Sequence, residues 1–211
     1  METRFHWLAE SGLYWVRREV HAMEDYQLRR EDRQIVSSGK ALTFMRDTMR
    51  LPGGKTEYWD FVHHNRGGGA CVVPVLTDGR ILMIRQLRPA VDRETLELPA
   101  GVRNPEDSDT SATAKRELKE ETGYSCGRIR KLLSIDTAVA WCDECTDIYL
   151  AQDLVLEGRQ VLDAAEEIRF EAWELDDLLR RISEGTIRDA KTAAGILAYA
   201  VDCQKASPQD R

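Results

Sequence analysis

Hydrophobic positions divide the chain into two sections with different patterns. Over about 1–30, apolar residues recur among charges at helical spacing, which predicts an amphipathic helix. The segments 41–50 and 56–64 alternate apolar and polar residues on either side of Leu51-Pro-Gly-Gly-Lys55, and this pattern predicts a β-hairpin. We therefore expect residues 1–66 to form an N-terminal helix and a small antiparallel β-subdomain.

From Gly67 onward, short apolar runs alternate with turn residues. ACVVPVL and RILMIRQL flank Asp78-Gly79, a favoured turn dipeptide, which predicts a second hairpin. Further strands are predicted at ETLELPA, KLLSIDTAVA, TDIYLAQDL and IRFEAWEL. Periodicity and capping residues predict helices over 109–122, 176–184 and 190–203. Mixed strands with one inserted helix and two closing helices predict an α/β or α+β sandwich over 67–205.

Charge and composition narrow the classes of protein. The 211 residues carry a net charge of -7, and no Lys/Arg run is typical of a nucleic-acid-binding stripe. No apolar run approaches the roughly 18 residues that span a bilayer, and the N-terminus lacks a secretory signal pattern. The five cysteines have no regular spacing, which argues against a disulfide framework. We expect a cytoplasmic protein that binds neither nucleic acid nor membrane.

The segment RELKEETGY at 116–124 carries the most specific chemistry. On a helix, Glu117 shares one face with Glu120 and Glu121, where like charges cost a few tenths of a kcal/mol per pair. Converging carboxylates suit Mg²⁺, which favours substrate phosphates as further ligands. A Glu-rich helix turn alone is more often a solvated surface. The preceding strand and the LELPAG turn at 96–101 favour the metal site.

These residues resemble the box of the Nudix hydrolase family, G-x5-E-x7-R-E-U-x-E-E-x-G-U, in which U is a bulky apolar residue. The matching positions are Arg116, Glu117, Leu118, Glu120, Glu121, Gly123 and Tyr124. Gly101 stands one residue further from Arg116 than the pattern allows, and Ser108 takes the place of the first glutamate, just after Glu106 and Asp107. An extra loop residue explains both departures, which affect only that auxiliary carboxylate.

The similarity extends over about 30–203 and resembles the ADP-ribose pyrophosphatase branch. It is carried by RQLRP, LELPAG, GTIRDAKT and GKTEYW, whereas a proline that this branch often has beyond the box is absent here. The resemblance implies a Nudix α/β/α sandwich and a homodimer joined through the N-terminal subdomain. It also implies hydrolysis of a nucleoside-diphosphate sugar, first of all ADP-ribose. The alternatives are GDP-mannose, another sugar nucleotide or dinucleotide, and a non-catalytic Nudix-fold sensor.

The resemblance also implies roles for individual residues. Mg²⁺, with Mn²⁺ as a substitute, is expected on the carbonyl of Ala100 and on the carboxylates of Glu117, Glu120 and Glu121. Glu120 is also a catalytic candidate. Arg116 is expected to pair with a box carboxylate and hold it in position. In this family the general base often comes from a later loop, and Glu166, with Glu167 as the alternate, occupies the matching place; solvated carboxylates are the competing interpretation.

The expected substrate contacts lie on both sections of the chain. Arg88 is the candidate for a diphosphate contact, because a guanidinium binds two oxygens at once, and Glu97 and Val102 are further candidates. Trp59 either stacks on the base or packs at the dimer interface. One Cys142-x-x-Cys145 pair is weak evidence for zinc, which takes four ligands at structural sites, so these cysteines are interpreted as structural.

Overall fold

The computed structural model describes residues 27–162, 164 and 166–205, and the predicted N-terminal helix lies almost entirely outside this part of the chain. The described residues form ten strands and three α-helices, and none of these helices is both long and apolar enough to cross a membrane. The strands are β1 Arg29–Ser38, β2 Leu42–Arg50, β3 Thr56–His64, β4 Gly68–Pro74, β5 Ile81–Arg88, β6 Arg93–Glu97, β7 Ala100–Val102, β8 Tyr124–Asp136, β9 Cys145–Leu156 and β10 Ile168–Trp173. The helices are α1 Thr110–Thr122, α2 Leu175–Ser183 and α3 Ala190–Lys205.

The chain divides into two compact units. The first contains residues up to 67 together with 140–143, and the second contains 68–139 and 144 onward. We describe each unit by itself.

The first unit is an antiparallel sheet in the order β1-β2-β3. The predicted β2–β3 hairpin is confirmed, with Arg50 opposite Thr56 and the Leu51 amide donating to the Lys55 carbonyl at 2.7 Å. Gly53 allows this turn because its φ of +87° is strained for other residues. Strand β1 was not predicted, since its residues are nearly all exposed and show no alternation of buried and exposed positions.

Residues 140–143 extend the free edge of β3. The Val62 amide donates to the Trp141 carbonyl at 2.7 Å, and Asp143 accepts from the His64 amide at 3.0 Å. The Asp143 carboxylate also pairs with the imidazole of His63 at 2.6 Å. Cys142 is therefore part of the first unit, whereas Cys145 belongs to the second.

The second unit contains two sheets, β7-β4-β9-β8 and β10-β5-β6, and three helices. Alternate residues of β4 enter different cores. Ala70 and Val72 pack in a cluster with Leu118 of α1, whereas Cys71 and Val73 pack in the larger cluster that includes residues of α2 and α3. Both faces of the four-stranded sheet are thus covered, which explains its continuous apolar runs and confirms the predicted α/β sandwich.

The predicted hairpin between ACVVPVL and RILMIRQL is wrong. The Asp78-Gly79 turn forms and the Leu76 amide donates to the Arg80 carbonyl at 2.8 Å, but only the isolated pair Val75 and Ile81 bridges the two runs. Strand β4 is flanked by β7 and β9, so neither of its edges can accept β5, which pairs with β6 and β10 in the other sheet.

The predicted strand ETLELPA is also divided between the sheets. Strand β6 ends at Glu97 and pairs with β5, whereas β7 begins at Ala100 and pairs with β4. Pro99 has no amide hydrogen for a ladder, and its carbonyl accepts from the Val72 amide at 2.9 Å. The LELPAG segment therefore crosses from one sheet to the other beside α1.

Candidate active site

Helix α1 presents the carboxylates, and its predicted ends are confirmed. The Asp109 carboxylate caps the first turn by accepting from the Ala112 amide at 2.9 Å. Gly123 ends the helix with a φ of +77° and donates to the Lys119 carbonyl at 2.8 Å. Leu118 and Ala114 are fully buried against the four-stranded sheet. This apolar contact fixes the rotation of the helix and hence the direction of its glutamates.

Two of the three box glutamates are buried. Glu117 is 8% exposed and Glu121 is 3% exposed, whereas the Glu120 side chain is 39% exposed. The Glu121 carboxylate accepts from the Ala100 amide at 3.1 Å. A Cβ atom on Gly101 would stand 2.0 Å from Oε1 of Glu117, so a glycine is needed for this close approach. The turn at Ala100 and Gly101 thus lies directly against the carboxylate side of α1.

Arg116 connects this carboxylate group to the loop before α1. Its Nη1 donates to Glu117 at 2.7 Å and to Glu120 at 2.8 Å. Its Nη2 donates to the Val102 carbonyl at 2.9 Å. In the structure Val102 thus contributes a carbonyl to Arg116, and its side chain is 37% exposed.

Asp107 is a site residue that the sequence analysis did not assign. It accepts from Nη2 of Arg116 at 3.1 Å, from the Thr113 hydroxyl at 2.9 Å and from the Asn104 amide at 2.9 Å. Burial opposes its ionisation, but these hydrogen bonds outweigh burial and lower its pKa. The signal was its position one residue before Ser108, where the box has its first glutamate.

The buried carboxylates hold protons more tightly than ordinary glutamates. Burial is the main cause and raises the pKa of Glu117 to about 7, against the attraction of Arg116. Burial and the neighbouring charge of Glu117 raise the pKa of Glu121 to about 9. The charge of Glu166 adds to both shifts, which indicates that its carboxylate lies near this pair. A divalent cation would relieve the repulsion among these groups.

The donor set suits a hard cation, because it consists of carboxylate oxygens beside a backbone turn. Within the described part of the chain, no three His, Cys, Asp or Glu side chains are arranged to hold a metal ion. In this structure, one nitrogen of the Arg116 guanidinium binds both Glu117 and Glu120. These residues fit a divalent cation that competes with the guanidinium for the carboxylates.

The loop before β10 carries Glu166 and Glu167, which are both exposed. Gln160, also not assigned from the sequence, attaches this loop to α1 and β10. Its side-chain amide donates to the Glu121 carbonyl at 2.5 Å and to the Ile168 carbonyl at 3.2 Å. The Val161 amide donates to the Glu120 carbonyl at 2.9 Å. These bonds secure the start of the loop to the carboxylate helix.

Arg88 and Glu97 form a side-on ion pair beside the helix. The Nε and Nη2 atoms of Arg88 donate to the two Glu97 oxygens at 2.8 and 2.7 Å. The Arg88 side chain is 40% exposed, whereas Glu97 is buried. Arg88 also lowers the pKa of Glu121 by its charge, so the guanidinium lies near the carboxylates. Hydrogen bonds and charge thus connect most predicted site residues of the second unit to the box glutamates: Ala100, Val102, Arg116, Glu166, and Arg88 with its partner Glu97. For Glu167 the structure shows only an exposed side chain in the same loop as Glu166.

Trp59 belongs to the first unit, where it lies on β3 opposite Asp47 and is 37% exposed. Asp47 is buried and accepts two hydrogen bonds from Arg33, at 2.6 and 2.7 Å. Both interpretations of Trp59 given by the sequence stay open.

Comparisons with known proteins match this chain to one family. The sequence model of the NUDIX domain matches residues 65–194. The chain is 33% identical to an ADP-ribose pyrophosphatase of Bacillus subtilis (strain 168), over 82% of this chain and 95% of that protein. It is 32% identical to an ADP-ribose pyrophosphatase of Mycobacterium tuberculosis (strain ATCC 25618 / H37Rv), over 83% and 85%.

A solved structure described as an ADP compounds hydrolase shares the fold, with a TM-score of 0.74 and 19% identity over 84% of this chain and 94% of that one. The family match covers more than half of the chain and includes the carboxylate helix, the LELPAG turn and the loop of Glu166. The protein therefore belongs to the Nudix family of hydrolases.

A glycine substitution tests the site without removing any functional group. In Gly101→Ala the new Cβ displaces the flexible Glu117 carboxylate, and a displacement of about 1 Å can lower turnover by about 10²-fold. The free energy of unfolding should change little, because a side-chain end moves and the backbone does not. Turnover and urea unfolding of the same preparation measure both effects.

Gly158→Ala is the matched control, because no heavy atom lies within 4 Å of a Cβ built there. It should keep the wild-type rate. Normal turnover in Gly101→Ala would mean that the position of Glu117 does not matter for the reaction.

Proposed function

We propose that the protein hydrolyses the pyrophosphate bond of a nucleoside-diphosphate sugar, with ADP-ribose as the preferred substrate. The observation that carries this proposal is the pair of buried carboxylates, Glu117 and Glu121, facing the Ala100–Gly101 turn near a half-exposed arginine. Burying like charges together is costly unless a cation and its ligands offset the cost. A metal-bound diphosphate meets that requirement and also supplies oxygens for Arg88.

The reaction is the displacement of a phosphate group by water. A water oxygen attacks one phosphorus, the bond from that phosphorus to the bridging oxygen breaks, and the bridging oxygen leaves on the other phosphate. From ADP-ribose the products are AMP and ribose 5-phosphate. Arg88 binds and orients the diphosphate through its guanidinium.

Mg²⁺, with Mn²⁺ as a substitute, is the proposed cofactor, held by Glu117, Glu121, the partly exposed Glu120 and the Ala100 carbonyl. When bound, such an ion neutralises phosphate charge and lowers the pKa of a bound water. Arg116 positions the carboxylates through its contacts with Glu117 and Glu120.

Glu166 is the proposed general base, which takes the proton of the attacking water. Its charge is among the main causes that raise the pKa of both Glu117 and Glu121, and that of Glu167 is not among them. This difference favours Glu166 over its neighbour. The anchoring of the loop start by Gln160 supports a defined position for the base.

A substrate panel tests the proposed reaction. With Mg²⁺ present, we expect ADP-ribose to be cleaved faster than GDP-mannose, ADP-glucose or NADH, and excess EDTA to abolish turnover. Reaction in ¹⁸O water, followed by mass spectrometry, identifies the phosphorus that is attacked. Full turnover in EDTA would exclude the metal-dependent mechanism, a faster reaction with GDP-mannose would exclude ADP-ribose as the preferred substrate, and tight binding without turnover would indicate a sensor.

Adjacent glutamates test the choice of base. Glu166→Gln should lower kcat by roughly 10²- to 10⁴-fold, the usual contribution of a general base, while Glu167→Gln keeps a nearly normal rate. Each change removes one charge from an exposed side chain of the same loop, so each variant controls for the other. The reverse result would assign the role to Glu167, and two small effects would exclude both.

We further propose a cytoplasmic homodimer joined through the first unit. Among the described residues, β1 pairs only with β2, so this ten-residue strand has an open edge. An open strand edge presents unpaired amide and carbonyl groups that favour pairing with another chain. Exposed apolar side chains lie on all three strands of this sheet: Ile35, Val36, Leu42, Phe44, Tyr58 and Trp59. A second copy of the same sheet would cover the edge together with the side chains of one face, which carries Ile35 and Trp59.

A charge on this surface tests the dimer. Ile35→Lys should give a folded monomer in sedimentation velocity, because a buried unpaired ammonium is costly at an interface. Leu156→Lys in the second unit is the matched control, since both side chains are 58% exposed. A wild-type monomer with normal turnover, or an unchanged dimer in Ile35→Lys, would contradict this arrangement.

A further inference from the structure

Lys191 is a partly buried cation in the site region that the roles above do not use. It lies in the first turn of α3, two residues after Asp189, and its side chain is 17% exposed. Its Nζ donates to Oε2 of Glu97 at 2.6 Å and to Asp189 at 2.9 Å. A lysine from the last helix thus reaches a carboxylate on β6.

The Glu97 carboxylate is saturated with donors. Oε1 accepts from Nε of Arg88 and from the Thr95 hydroxyl at 2.6 Å, and Oε2 accepts from Nη2 of Arg88 and from Lys191. An ionised carboxylate has about four acceptor sites, and here all four are used. Burial opposes ionisation of Glu97, but Arg88 and Lys191 outweigh burial and hold its pKa at about 2. The carboxylate is therefore a fixed, charged support.

The Glu97 carboxylate determines which nitrogen atoms of the Arg88 guanidinium are occupied. Glu97 occupies Nε and Nη2, and none of the described residues accepts a hydrogen bond from Nη1 of Arg88. The charges also balance, since Arg88 and Lys191 offset Glu97 and Asp189. Without Lys191, Arg88 alone would face both of these carboxylates as well as the charge of Glu121. Less of its charge would then be available for a phosphate.

We propose that Lys191 is a positioning residue: by holding Glu97, it fixes the Arg88 guanidinium so that Nη1 points toward the substrate diphosphate. This inference rests on the proposed function for the ligand, but the positioning itself can be measured without any substrate. Thr192 supports the same arrangement, because its hydroxyl accepts from the Leu98 amide at 3.0 Å and joins α3 to the LELPAG segment.

The first experiment measures Arg88 directly. Hydrogen exchange of the Arg88 Nε–Hε group with solvent can be monitored by ¹⁵N NMR on the full chain. Its rate reports how firmly Glu97 holds the guanidinium. Lys191→Met should accelerate this exchange by about tenfold, as expected when a local hydrogen bond opens more often. Lys191→Arg should restore slow exchange, because it keeps the cation. Lys119→Met, which removes an exposed ion pair with Glu157, is the control and should have no effect.

The second experiment uses steady-state kinetics with ADP-ribose. Lys191→Met should raise KM by about tenfold, the loss expected for a misplaced charged hydrogen bond, with a smaller change in kcat. In a Glu97→Gln background the same substitution should have little further effect, because the two residues act through one contact.

These outcomes separate the two proposals. If the wild-type protein cleaves no pyrophosphate substrate but Lys191→Met still accelerates Arg88 exchange, the proposed function is excluded and the positioning role is supported. An active wild type whose Lys191→Met variant keeps both Arg88 exchange and KM would overturn the positioning role. A variant that loses stability but shows normal KM and normal exchange would make Lys191 a structural residue and would also overturn it.

Discussion

Burial of like charges is the constraint on which the second unit depends. Glu117 and Glu121 are held out of solvent on one side of α1, where the charge of Glu117 adds to burial in raising the pKa of Glu121. Such an arrangement persists only when surrounding contacts fix it. The Ala100 amide holds Glu121. Arg116 holds Glu117 and connects it to Glu120, Asp107 and the Val102 carbonyl through one guanidinium. Five donors in a rigid plane make arginine suited to this task, and a lysine could not replace it.

The apolar core sets the direction of these charges. Leu118 and Ala114 are buried against Ala70 and Val72, so α1 cannot rotate without losing this packing. The glutamates then face the Ala100–Gly101 turn, which is itself fixed because Pro99 lies where the chain passes between two sheets. Local packing of ordinary residues therefore produces the close approach of carboxylates and backbone that the site requires.

Local signals in the sequence predicted local structure well. The end of α1 followed from Gly123 and its start from two adjacent capping candidates, Ser108 and Asp109, of which Asp109 is the cap; the β2–β3 turn followed from its glycines. Strand pairing was harder, because a run buried on both faces carries no information about its neighbours; β4 and β5 are the example. Contacts such as Lys191 with Glu97, separated by 94 positions, depend on topology, and no spacing rule reveals them. Asp107 was missed because an inserted loop residue moved it out of the expected register.

The polar contacts of the two units differ in what they can determine about the substrate. In the proposed reaction, the carboxylates, Arg116 and the Arg88–Glu97 pair act on groups that every nucleoside-diphosphate sugar shares, namely the diphosphate and its cation. Their geometry therefore sets the reaction and leaves the base and the sugar open. Discrimination between bases needs polar groups that are left unpaired by the wrong partner. In the first unit, Asp47 is buried but already satisfied by Arg33, so it holds the sheet together. Stacking on an aromatic side chain would not make this choice either, because stacking is tolerant of base identity. The proposed preference for ADP-ribose therefore requires hydrogen bonds to the edge of the base, in addition to the contacts proposed for the reaction.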